Sequence, residues 1–135
     1  MTQGSKPSIR VVSAEIQRGG RYLITQRAAK AVLPLLWEFP GGRVHEHEND
    51  AAALVRACRT RIGVAVDVGD LLLEVVHDYR DYVVTLAVYR CSLGERDPWA
   101  EGVAALAWVT PTEFENYPFP GADQKTIEKL LRADG

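Results

Sequence analysis

The stretch Trp37-Glu-Phe-Pro-Gly-Gly-Arg-Val-His-Glu-His-Glu48, continuing through Asn49 to Val64, sets the frame for the whole chain. Residues 35–39 read as a short strand that Pro40 ends, because proline cannot donate to a strand ladder. Gly41-Gly42 lets the backbone bend there or pass close to another group. Asn49 is a helix N-cap, with Asp50 favourable at the positive helix end. The spacing predicts a helix over 51–62, stopped by Gly63 in the left-handed conformation. Ala51, Leu54, Val55, Cys58 and Ile62 recur at three- and four-residue intervals and are expected to face the core. Ala53, Ala57, Thr60 and Arg61 fall on a second face.

The rest of the chain supplies strands. Residues 9–16 are rich in β-branched side chains, and Gly19-Gly20 suits a hairpin turn into a returning strand over 22–27. Residues 28–33 stay ambiguous between helix and loop. Strands are expected over 71–79 and 82–91, then a polar loop, a strand over 106–109 and a helical turn over 111–116. A last helix over 124–132 is capped by Asp123. Strands, helix, strands and helix imply an α+β fold or a mixed sheet between helices.

The 135 residues suit one domain, with a short tail over 1–8 and the domain over 9–135. A net charge of −2 argues against a strongly basic nucleic-acid surface. No apolar run approaches the roughly 20 residues of a membrane span, and the first residues lack the apolar centre of a signal peptide. Cys58 and Cys91 lack metal-type spacing and read as two buried thiols in a reducing cytoplasm.

The segment from Trp37 to Val64 resembles the Nudix box, and residues 9–131 resemble a MutT-type Nudix domain. The family pattern is glycine, five residues, glutamate, seven residues, Arg-Glu, an aliphatic, any residue, Glu-Glu, any residue, glycine and an aliphatic. Gly42, Glu48, Arg56, Gly63 and Val64 take their places without a gap. The resemblance implies a mixed β-sheet sandwiched between α-helices and cleavage of nucleoside polyphosphates with Mg²⁺ or Mn²⁺. It also implies roles for individual residues. Arg27 lies where MutT-type proteins carry a base-contacting arginine, and Asp123 where an Asn or Asp reads the base edge. Glu101 lies in the loop that supplies an extra metal-binding or basic glutamate.

Three acidic places in the box are not acidic. The glutamate after the arginine is Ala57, and the consecutive glutamates are Thr60 and Arg61, so the formal charge there goes from −3 in the pattern to +1. Mg²⁺ prefers oxygen ligands and one or two carboxylates beside the substrate phosphates. Two unit charges about 4 Å apart interact by roughly 4 kcal/mol at an effective dielectric near 20, so this face disfavours a cation.

Three readings stay open. In the first, the chain is an impaired Nudix protein that binds a nucleotide or related phosphate, with no metal required and Arg61 gripping phosphate beside Arg56 and Arg59. In the second, it is active, with Glu46, Glu48 and Glu101 as substitute carboxylates and Glu48 and Glu46 as the metal ligands. His45 and His47 would then favour a softer ion such as Mn²⁺ or Zn²⁺. In the third, it is an interaction module. Candidate catalytic residues are Glu48, Arg56 and Glu101; candidate binding residues are Arg27, Phe39, Arg61, Tyr79 and Asp123. Each has a plainer alternative: an ion pair for Arg27, a solvated surface for Glu101 and the helix arginines, strand packing for Phe39 and Tyr79, and a helix cap for Asp123.

Overall fold

A computed structural model describes residues 6–29 and 35–119. Among these residues seven strands run in chain order as β1 (Ser8–Arg18), β2 (Arg21–Gln26), β3 (Trp37–Glu38), β4 (Gly41–Arg43), β5 (Asp67–Asp78), β6 (Val83–Ser92) and β7 (Ala105–Val109). Helix α1 (Asp50–Ile62) follows β4, and a 3-10 helix (Pro111–Asn116) follows β7.

β1 is the hub. It runs parallel to β6 from Ser8↔Val83 to Ile16↔Cys91. Its other edge takes β4 antiparallel at Val11–Ser13, then β2 at Gln17 and Arg18. β2 carries β3 on one side and β7 on the other, and β5 closes the outer edge against β6. The sheet is therefore mixed, as expected. The helix expected over 124–132 lies outside the described residues, as does Asp123.

The core divides by face. Strand alternation sends Val12, Ala14 and Ile16 of β1 toward α1, where they meet Leu54, Cys58 and Ile62. Full burial of Leu54 and Ile62 stabilises by about 1.5–3 kcal/mol each. Val84, Leu86 and Val88 form a second cluster with Val11, Leu73, Tyr79 and Tyr82. An aromatic cluster joins Tyr22, Phe39, Phe114 and Phe119 near β2 and β7.

Several sequence expectations change. Ala51 is exposed and Val55 half-buried, while Ala53 and Ala57 are fully buried. The cause is β4, a strand the sequence reading missed, which lies against α1 and turns its small-residue face inward. Glycines make this layering possible. A Cβ on Gly41 would sit 2.0 Å from the Val12 carbonyl oxygen, and one on Gly42 would sit 3.1 Å from the Ala57 Cβ. The strand expected over 35–39 shrinks to two residues, because Leu35 adopts φ 63. β5 begins earlier than expected, at Asp67, with register shifts between Val68 and Leu73 that absorb Gly69-Asp70. Lys6 and Pro7, expected in the tail, are tied to the hairpin. Lys6 pairs with Asp78, and the Pro7 carbonyl accepts from the Val83 N–H at 2.9 Å.

Candidate functional site

The loop from β4 to α1 is built around Glu48. His47 takes a left-handed backbone, φ 68, which folds the loop back on itself. The Glu48 N–H then donates to the His45 carbonyl at 3.1 Å, and the Glu48 carboxylate accepts from the His45 N–H at 2.9 Å. Arg56, two turns into α1, donates Nε and Nη2 to the same carboxylate at 2.8 and 3.0 Å. Its Nη2 also reaches the Arg43 carbonyl at 2.7 Å. The Arg56 guanidinium and the His45 N–H hold the Glu48 carboxyl down at about 2. This bidentate pair fixes the loop to the helix.

Helix capping does the rest. The Asn49 side chain accepts from the Ala52 N–H at 2.8 Å, and Gly63 closes the helix at φ 76. Asp50 receives Arg10 Nε and Nη2 at 2.9 and 2.8 Å and the Tyr89 hydroxyl, which ties the start of α1 to β1 and β6. Hydrogen bonds from Arg10, then from Tyr89, lower the Asp50 carboxyl below its usual range against the opposing effect of burial.

The second half of the box differs in chemistry. Ala57 packs beneath Gly42. The Arg61 guanidinium lies over the same glycine, with Nη2 and Nε at 3.5 and 3.6 Å from the position of a Gly42 Cβ. The Thr60 hydroxyl donates back to the Arg56 carbonyl at 3.1 Å and so turns along the helix. Among the described residues, nothing pairs with the Arg61 guanidinium.

The β6–β7 loop closes over the end of α1. Trp99 stacks on Gly63, where a Cβ would meet its ring at 2.4 Å. The Trp99 and Gly102 N–H groups donate to the Ile62 and Arg61 carbonyls, each at 3.0 Å. The Trp99 indole N–H donates to the Glu101 carboxylate at 3.1 Å.

The chain matches the NUDIX domain model over residues 11–129. The chain belongs to the Nudix family. It is 32% identical over 123 residues to the CTP pyrophosphohydrolase of Escherichia coli, covering 91% of each chain. It is 34% identical over 125 residues to the putative 8-oxo-dGTP diphosphatase 2 of Mycobacterium tuberculosis, covering 90% of this chain and 87% of that one. The solution structure of the E. coli ORF135 protein superposes with a TM-score of 0.81 at 30% identity, over 100% of this chain and 96% of the other. The MutT protein of Methanosarcina mazei gives 0.83 at 21% identity over 96% of each, a likeness of fold. The α+β Nudix fold and the MutT type agree with the sequence resemblance.

Within the Nudix box, Glu48 and Arg56 pair and Arg61 lies over Gly42, while other candidates lie apart. Glu46 and His47 pair with each other at 3.4 Å, with side chains almost wholly in solvent. Phe39 is 1% exposed and packs edge-on to Phe114, so its ring has no face for a base. Arg27 donates Nε and Nη2 to Glu38 at 3.1 and 2.9 Å, an ion pair from the residue after β2 to β3. Tyr79 stacks on Tyr82 at 5.1 Å on the sheet face away from α1.

Nudix hydrolases generally use divalent metals. The residues present here do not fit that group. Among the described residues, no three His, Cys, Asp or Glu side chains converge on one point. Glu48 is occupied by Arg56, and a guanidinium lies over Gly42. Of the expected substitute set, Glu48 holds Arg56, Glu101 accepts from the Trp99 indole and Glu46 lies in solvent beside His47. Sequence reasoning placed Asp50 at the helix start but missed its partners Arg10 and Tyr89, which lie far away in the chain. It also missed Trp99, whose only sequence signal was an aromatic residue in a polar loop.

Proposed function

We propose that this Nudix protein binds a nucleoside triphosphate or a closely related phosphate compound and hydrolyses it weakly or not at all. One observation carries the reading: the Arg61 guanidinium, which has no partner among the described residues, lies over Gly42 and beside Ala57, on the helix edge where the family pattern has carboxylates. The phosphates would point toward Arg61 and the exposed side of Arg56. Arginine suits that contact because its planar fork matches phosphate oxygens. The relatives named CTP pyrophosphohydrolase and 8-oxo-dGTP diphosphatase support a nucleotide as the ligand class. Asp123 remains the proposed base-edge reader. The proposed compartment is the cytoplasm, in keeping with free, buried thiols at Cys58 and Cys91.

The test pairs turnover with binding. CTP, 8-oxo-dGTP and the common triphosphates are assayed with Mg²⁺ and with Mn²⁺, and the same ligands are titrated calorimetrically. The expected result is saturable binding, with turnover below that of the E. coli CTP pyrophosphohydrolase by about 10²–10³ or more, the scale of losing one catalytic electrostatic group. Brisk turnover abolished by Glu48→Gln contradicts the proposal.

A further inference from the structure

Resting on the nucleotide-binding reading, we infer that this protein takes the polyphosphate as the free anion and that Mg²⁺ weakens its binding. The argument begins with Arg61. Its guanidinium carries a permanent charge and several N–H donors in a rigid fork. None of those donors is used by another described residue. Gly42 has no side chain, so the guanidinium can lie close against it, and the Ala57 methyl offers no competing acceptor.

Among the described residues no carboxylate pairs with Arg61. The charge of Glu48 is balanced by Arg56 through two hydrogen bonds, and Glu101, which keeps its charge, accepts from the Trp99 indole. A phosphate reaching this edge therefore meets a fixed positive charge and no excess of negative charge. A Mg²⁺ already chelated to the phosphates would add positive charge beside the guanidinium, and like charges so close repel. The ion would also lack protein carboxylates to complete its oxygen shell. Arg61 thus serves in place of a cation, and the metal-free ligand is the better match.

CTP and inorganic tripolyphosphate are each titrated into the protein in EDTA and in excess Mg²⁺ at matched ionic strength. The two probes separate recognition of a nucleotide from recognition of phosphates alone. Wild-type protein is expected to bind CTP at least about tenfold more tightly in EDTA, as like-charge repulsion at short range requires. Arg61→Ala should lose about tenfold or more in EDTA, the scale of a charged hydrogen bond, and much less in Mg²⁺. Arg61→Glu should reverse the sign, so that Mg²⁺ strengthens binding. Thermal unfolding of each variant establishes that it is folded, and the wild-type comparison needs no variant. Tighter wild-type binding in Mg²⁺ overturns this inference alone. A folded Arg61→Ala protein with wild-type affinity in EDTA also overturns it. No binding of either probe in either medium overturns the nucleotide-binding reading together with it.

Discussion

The Glu48 carboxylate and the Arg56 guanidinium meet through two hydrogen bonds of 2.8 and 3.0 Å, although the two residues belong to a loop and a helix respectively. In the Nudix pattern these positions survive while the next three acidic positions do not. The pair therefore keeps the loop in place even where those three positions are Ala57, Thr60 and Arg61.

This pair predicts a pH dependence. The Glu48 carboxyl is held at about 2, below its usual 4.5. A depressed folded-state value means that ionised Glu48 favours the folded chain. That contribution is complete above about pH 4.5 and fades as the pH falls toward 2. The melting temperatures of wild type and Glu48→Gln, followed from pH 7 to pH 2, are expected to differ most at the upper end of that range and to converge at the lower end.

A second prediction concerns the start of α1. Asp50 binds Arg10 twice and the Tyr89 hydroxyl, with its side chain only 18% exposed. Asp50→Ala is expected to cost about 1.5–3 kcal/mol, the scale of hydrogen bonds to a charged group. Tyr89→Phe leaves the Arg10 contacts intact and is expected to cost about 0.5–1.5 kcal/mol. Urea unfolding of the two variants checks both magnitudes and their order.

Neighbouring glycines should respond differently. A Cβ on Gly41 would lie 2.0 Å from the backbone oxygen of Val12, and β1 is held on its other side by β6. Gly41→Ala is expected to destabilise on the order of 3 kcal/mol. The nearest atoms to a Cβ on Gly42 are the Ala57 methyl at 3.1 Å and the Arg61 side chain at 3.5 Å. Gly42→Ala is expected to cost under about 1.5 kcal/mol while displacing Arg61 and weakening CTP binding. Paired unfolding and calorimetric measurements separate the two effects.

Local signals in the sequence carried much of the fold. The Asn49 cap and the Gly63 stop appear at both ends of α1, because each acts on backbone groups within a few residues. The strands around it follow from runs of β-branched side chains. What the sequence hid were long-range approaches. β4 is mostly glycine, with no strand signature, and becomes a strand by pairing with β1. Its closeness to α1 buries Ala53 and Ala57, which helical periodicity alone assigned to another face. Phe39 sits beside a glycine turn and looked available for stacking, but Phe114 and Phe119 from distant sequence enclose it. In the site, box spacing brought Glu48 and Arg56 together on paper. The approach of Arg61 to Gly42 depends on β4 lying against α1, which no local signal announces.

The most direct test of that cationic helix edge is a Mn²⁺ titration of isotope-labelled protein, read by paramagnetic broadening of amide signals. The prediction is no selective, saturable broadening at residues 57–61 in the micromolar range. Stoichiometric broadening centred on those residues, removed by Glu48→Gln, would contradict it.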